Sequence, residues 1–128
     1  GESLEASIRV YSLEEIVAEK LRAILQHAEA LKERGWSRSR ARDYYDLWRI
    51  LGSYQKRLDL ADFLAFLRQK CSIRNVTFAG SETFFPKTML AMIEESWEQG
   101  LGSLVPGLPS FKTVIGGLRP QVKVLLSA

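Results

Sequence analysis

One lysine lies among the apolar positions of the first helical segment of this sequence. Lys20 follows Val17 by three residues and precedes Ile24 by four, so all three lie on one face of a helix. In one interpretation its methylene stem packs at the edge of the core while the ammonium reaches water. In the other, Lys20 points into a cleft that binds phosphates or other anions, where a compact point charge is useful.

Two aspartates follow in a second helical segment. Asp43 and Asp46 lie one turn apart beside apolar and aromatic residues, although aspartate is unfavourable inside helices. If they occupy the first turns, they complement the helix dipole there. The alternative is a catalytic role or a pairing with the lysine, and the sequence leaves both open.

Arginines and aromatic residues are concentrated around the start of this second segment. The net charge of +3 says little alone, but the cluster suits phosphate contacts with stacking beside them. A solvated helix connection is the other interpretation. The residues concerned are Arg34, Trp36, Arg38, Arg40, Arg42, Tyr44, Tyr45, Trp48 and Arg49.

Length and composition predict a single domain. The chain has 128 residues, of which 46% are hydrophobic, enough for one core but not two. Cys71 and His27 are the only residues of their types, so a structural metal site is not expected. No apolar run is long enough to span a membrane, and no secretory signal is recognisable, so we expect a cytoplasmic protein.

Start and stop signals predict an all-α fold, a compact bundle of about five helices over residues 1–128, preceded by a short extended segment at Ile8–Val10. The first helix is expected to begin at the Ser12–Glu15 capping box and to end at Gly35, and the second to begin within residues 37–40 and to end at Leu51, before Gly52 and Ser53. The third helix is expected from Asp59 to Lys70 or Cys71, and the fourth from Pro86 to Gly100. The last is expected to begin at Ser110 and to be split by Gly116, Gly117 and Pro120. Residues 72–85 are expected to form a loop.

Two motifs carry a family resemblance. The stretches Val10–Ala23, with Ala-Glu-Lys-Leu at 18–21, and Ala41–Trp48, with Arg-Asp-x-x-Asp-Leu at 42–47, closely resemble the C-terminal half of the AbiEii/AbiGii toxin nucleotidyltransferases. That family belongs to type IV toxin–antitoxin and phage abortive-infection systems. The resemblance implies transfer of a nucleotide from an NTP to RNA such as tRNA, and a cognate antitoxin as a further partner.

The resemblance also implies which residues form the site. It assigns Lys20 and Asp43 to the active site as catalytic residues and matches Arg42 and Asp46 to motif positions. With an RNA acceptor, residues 34–42 become a candidate RNA-facing surface. Arg42 and Asp46, together with Arg40 and Arg38, are therefore the candidate substrate-binding residues.

The family's metal-binding motif is missing from this sequence. The N-terminal half of these enzymes carries a Gly-Ser turn and an Asp-x-Asp pair that holds Mg²⁺, and no Asp-x-Asp occurs here. Phosphoryl-type transfer relies on metal ions to neutralise developing charge. We therefore expect this chain to be the helical C-terminal half of a larger enzyme, inactive alone, with Mg²⁺ bound elsewhere.

Two non-catalytic functions remain as alternatives. An RNA-binding helical module would bind RNA in a salt-dependent way. A protein-interaction module would expose an apolar patch. The residues expected in such a patch are Phe84, Phe85, Leu101, Leu104 and Val105.

Helix geometry sets a condition on any shared site. If the first helix runs to Arg34 and folds back in a tight hairpin, Lys20 lies about 21 Å from the turn and Asp43 about 6 Å, a mismatch of roughly 15 Å. Convergence of the two side chains therefore requires the first helix to end near Gln26–Ala30, or the two helices to cross steeply.

Overall fold

The computed structural model describes residues 12–35 and 39–127. Within these ranges it contains six α-helices and no strand, which confirms the all-α prediction. The helices are α1 (Leu13–Arg34), α2 (Ala41–Ser53), α3 (Phe63–Ile73), α4 (Lys87–Glu95), α5 (Trp97–Leu101) and α6 (Phe111–Ser127). Short 3-10 helices lie at Gln55–Arg57 and Ser81–Phe84. The extended segment predicted at Ile8–Val10 lies outside the described residues.

Helix α1 begins and ends where its caps predict. The Ser12 hydroxyl accepts a hydrogen bond from the Glu15 amide at 3.1 Å, and Gly35, at φ 79°, donates its amide to the Leu31 carbonyl at 2.9 Å. The left-handed conformation at this end favours glycine because it has no Cβ. The helix is unbroken over 22 residues, so it does not end near Gln26–Ala30.

The core lies where α1, α2, α3 and α6 pack against one another. Its most deeply buried apolar side chains come from several elements and include Leu21, Ile24, Leu47, Leu67, Phe84 and Leu118. Apolar surface removed from water is the main favourable term for such a bundle. None of the described helices is long and apolar enough to cross a membrane.

The last helix is continuous, so the predicted split at Gly116, Gly117 and Pro120 is wrong. Helix α6 carries Pro120 in its interior. Proline removes one hydrogen bond there, but the buried stripe that includes Val114, Leu118 and Val122 continues on both sides. Packing of this stripe on α2 and α3 outweighs the local cost.

The third helix starts later than its expected cap. The Asp59 carboxylate accepts a hydrogen bond from the Ala61 amide at 3.0 Å and so forms a local turn. Asp62, at φ 62°, occupies the N-cap position without a side-chain bond, and the helix begins at Phe63. Helix α2 in turn includes Gly52 and Ser53, two residues beyond the predicted end.

The helix expected from Pro86 to Gly100 is two helices. Helix α4 ends at Glu95, and Ser96 separates it from α5. The Ser96 hydroxyl donates to the Met92 carbonyl at 3.1 Å, which gives the backbone an alternative to a regular helix. Gly100 lies inside α5 and does not end it.

The apolar patch expected for a protein-interaction module does not form. Phe84, Phe85 and Leu101 are buried at 0%, 4% and 3% exposure, while Leu104 is exposed and Val105 is half-buried. The buried Tyr44 hydroxyl donates to the Phe84 carbonyl, and the Tyr44 and Phe85 rings are 5.9 Å apart. Because α2 reaches this segment, both phenylalanines belong to the core.

Candidate functional site

Lys20 meets both aspartates of α2. Its Nζ lies 3.3 Å from Asp43 Oδ1 and 3.1 Å from Asp46 Oδ2. The side chains are only 20%, 13% and 8% exposed, respectively. Lys20 is therefore neither free in water nor alone on the apolar face. Its ammonium is held by two carboxylates, which offsets much of the cost of partial burial.

Arg40 secures the other side of Asp43. Its Nη1 donates to Asp43 Oδ2 at 3.0 Å, and its Nη2 contacts His27 Nε2. Both carboxylate oxygens of Asp43 are thus engaged, one by α1 and one by the residue just before α2. This arrangement fixes the carboxylate in one orientation under the lysine.

Arg42 marks the outer edge of the group. Its Nε lies 3.7 Å from Asp46 Oδ2, and its side chain is 57% exposed. The cluster thus combines three cations, Lys20, Arg40 and Arg42, with two carboxylates. One positive charge is left over, which suits a polyanionic ligand at its solvent edge.

The chain geometry explains how the two helices reach each other. Arg40, at the N-cap of α2, contacts His27 and not the end of α1. The last two turns of α1 therefore extend past the start of α2 by about 10 Å, at 1.5 Å per residue from His27 to Arg34. The tight hairpin does not form, and Lys20 and Asp43 converge although α1 runs to its full length.

The predicted substrate-binding residues divide into different environments. Arg42 faces solvent, whereas Arg40 is turned inward toward Asp43 and His27. Arg38 lies outside the described residues. The sequence did not single out His27 as part of this group, although it lies seven residues after Lys20 and therefore on the same face of α1.

Tyr44 is a neighbour of the cluster with a structural role. Burial, reinforced by the charge of Asp43, raises the pKa of the Tyr44 hydroxyl far above its ordinary value. The hydroxyl therefore stays protonated and donates to the Phe84 carbonyl. This bond ties α2 to the segment before α4 and holds the first turn of α2 in place.

The cluster does not fit a divalent metal. Among the described residues, no three His, Cys, Asp or Glu side chains come together as ligands. The two aspartates that do come together are already paired with Lys20, Arg40 and Arg42. Mg²⁺ prefers several oxygen ligands in octahedral geometry, and the cations beside these carboxylates oppose its binding.

A separate cleft lies further along α1 than Lys20. It has a volume of about 540 Å³ and is lined by Leu25, Ala28 and Lys32 of α1 and by Lys87 and Thr88 of α4, among others. These α1 positions lie five to twelve residues further along the helix than Lys20, which is about 8 to 18 Å at 1.5 Å per residue, and no residue of the lysine–aspartate cluster lines the cleft. The cleft is therefore not part of the lysine–aspartate cluster.

Comparison with known families gives one clear finding. The model of the family described as nucleotidyl transferase AbiEii toxin, type IV toxin–antitoxin system, matches residues 2–124. The match includes both helices that form the cluster. Searches of curated proteins and of solved structures gave no match.

Proposed function

This chain belongs to the AbiEii nucleotidyl transferase toxin family of type IV toxin–antitoxin systems, and from that premise we propose that it supplies the lysine-bearing side of a site that transfers a nucleotide from an NTP to an RNA acceptor. The supporting observation is the convergence of Lys20, Asp43 and Asp46, which together with Arg40 and Arg42 form one part-buried cluster of net positive charge. The acceptor hydroxyl oxygen forms a bond to the α-phosphorus, pyrophosphate leaves, and the hydroxyl proton is released.

Lys20 acts on the triphosphate in this proposal. An ammonium has three N–H donors, and the two carboxylates occupy two directions around Nζ. The third direction remains for a phosphate oxygen. A positive charge fixed in advance at that place stabilises the charge that moves onto the leaving pyrophosphate.

Asp43 is a positioning residue. Since Lys20 and Arg40 engage its two oxygens, its main effect is to hold the lysine in one rotamer. Asp46 supports the same ammonium from one turn further along α2. The contacts of both Asp43 oxygens with cations support this orienting role.

The remaining parts of the reaction come from outside this chain. The lack of an Asp-x-Asp pair and of a metal-ligand group among the described residues supports Mg²⁺ binding by another part of a longer enzyme. The chain alone is then inactive. Membership in a type IV toxin–antitoxin family also points to a cognate antitoxin as a partner.

The test is nucleotide transfer to RNA by the full-length enzyme carrying Lys20→Ala. We expect the rate to fall about 100-fold or more, as for the loss of one fixed electrostatic donor, while the circular dichroism spectrum stays that of a folded protein. The matched control is Lys112→Ala, which removes an exposed lysine on α6 and should leave the rate unchanged. Wild-type transfer rates in the folded Lys20 variant would refute the proposal.

A further inference from the structure

The outer face of α2 presents cations and aromatic rings in alternation. Arg42, Tyr45 and Arg49 recur three and four residues apart and so form one row on the helix. The chain continues directly into the turn that carries Tyr54 and Arg57. All five side chains are exposed or half-buried. We refer to these five residues as the arginine–tyrosine stripe.

Each tyrosine ring of the stripe has an arginine guanidinium beside it. The Arg49 guanidinium lies 5.9 Å from the Tyr45 ring centre, and that of Arg57 lies 5.5 Å from Tyr54. Trp48 stands beside Tyr45 at 6.1 Å between ring centres.

Helix α6 packs against Trp48 of this aromatic group. A Cβ on Gly117 would lie only 2.8 Å from Trp48 Nε1, so the indole packs where only glycine leaves room. The half-buried Trp48 ring is thereby fixed between α6 and the stripe.

Cations outnumber acids around the stripe, although Asp59 and Glu14 lie at its far end, where the Asp59 amide donates to the Glu14 carboxylate at 2.6 Å. The sequence from Leu47 to Leu58 contains three cations and no acidic residue. Residues 99–128, which include α6, also contain no acidic residue. The two acids of α2, Asp43 and Asp46, are only 13% and 8% exposed and pair with Lys20. The short helix α5, which also contacts α2, adds the single acid Glu98.

The stripe begins at the lysine cluster. Arg42 belongs to both, since its Nε lies 3.7 Å from Asp46. From Arg42 the helix runs about 16 Å to Ser53, the length of roughly five stacked nucleotides at 3.4 Å each. A strand lying on the stripe therefore leads to Lys20. The inward-facing Arg40 offers no such surface.

We propose that the arginine–tyrosine stripe binds a single-stranded stretch of the acceptor RNA, with bases stacked on Tyr45 and Tyr54 and phosphates paired with Arg42, Arg49 and Arg57. The inference rests on the proposed RNA acceptor. Stacking with cationic backbone contacts is how proteins bind single strands without reading sequence. This places the RNA surface further along α2 than the arginine-rich residues 34–42.

The test measures RNA binding by the full-length enzyme with a short fluorescein-labelled single-stranded RNA of mixed sequence. Arg49→Gln combined with Arg57→Gln should weaken binding about tenfold and lower the salt dependence of log K by roughly 1.4, at about 0.7 per phosphate. Tyr45→Leu, which keeps an apolar side chain, should weaken binding about fivefold with the salt dependence unchanged.

The matched control is Arg74→Gln combined with Lys87→Gln, which removes the same charge from exposed positions outside α2 and α6. Binding equal to wild type in the control and weakened binding in the stripe variants supports the inference. Equal losses in both would overturn it and indicate diffuse attraction. Undiminished binding by the stripe variants also overturns it, and the proposed function stands if the enzyme still modifies RNA. An enzyme that neither binds nor modifies RNA refutes the proposed function itself.

Discussion

Two adjacent residues of α1, Glu19 and Lys20, each join this helix to another by ion pairs, but in opposite environments. The Glu19 carboxylate accepts from Arg22 at 2.7 Å and from Lys70 of α3 at 2.9 Å, and its side chain is 48% exposed. Lys20 pairs with Asp43 and Asp46 of α2, where the side chains are 8–20% exposed. Successive residues on a helix point about 100° apart, so they meet different partners.

The difference in burial separates an ion pair that joins two helices from a candidate functional site. Exposed ion pairs contribute about 0–1 kcal/mol, because water screens them and two long side chains must be ordered. Removing three charged groups from water costs more free energy than their mutual attraction returns, unless their geometry is good. A cluster of this kind is therefore weak evidence for a role in stability. Pairing between helices explains Glu19, whereas the partly buried Lys20 is the candidate for a functional role.

The largest effect on stability is expected from Lys20→Met. The substitution leaves two part-buried carboxylates without their shared cation, and Arg40 and Arg42 compensate only in part. We expect the free energy of unfolding in urea to fall by about 2 kcal/mol. Lys32→Met, the same change at an exposed position of α1, should change it by less than about 0.5 kcal/mol. Equal values for the two variants would contradict a distinct environment for Lys20.

A smaller and salt-sensitive effect is expected from Glu19→Gln. The lost pairs with Arg22 and Lys70 are partly exposed, so the cost should stay below about 1 kcal/mol at low salt. In about 1 M NaCl, where the Debye length is about 3 Å, this cost should largely disappear. The Lys20→Met cost should persist there. Urea unfolding of both variants at the two salt concentrations makes the comparison, and a salt-independent Glu19 effect would count against it.

The smallest effect concerns pH. Burial raises the pKa of Glu19, but the hydrogen bonds from Lys70 and Arg22 and the positive charges of these two residues lower it by more. The pKa of Glu19 therefore lies below its ordinary value of 4.5. A carboxyl group whose pKa is lower in the folded state stabilises the fold at pH values above its unfolded-state pKa. This stabilisation is lost as the pH falls through the folded-state pKa. The wild type should therefore lose its advantage over Glu19→Gln as pH drops below about 4.5. Parallel stability curves across this range would exclude the linkage.

Much of the local structure could be predicted because it depends on neighbours in sequence. The Ser12–Glu15 cap and the left-handed Gly35 need only a few residues each, and both bounds of α1 follow from them. The candidate site residues Lys20 and Asp43 could be selected from the sequence because each residue type conflicts with its local setting. Such conflicts are visible without a structure.

The meeting of these residues could not be predicted in the same way. It depends on where α2 starts beside α1, and the contact of Arg40 with His27 fixes that start through packing between helices. The continuity of α6 through Pro120 likewise depends on burial against α2 and α3. These are tertiary choices that no local pattern records.

The most direct measurement of the central claim is equilibrium binding of an NTP to the full-length enzyme as wild type, Lys20→Met and Glu19→Gln. If Lys20 contacts the triphosphate, Lys20→Met should weaken binding about 10- to 100-fold, the value of one hydrogen bond to a charged group. Glu19→Gln, one residue away on the same helix, should leave binding unchanged. Equal NTP affinities for all three folded proteins would contradict the assignment of Lys20 to the nucleotide site.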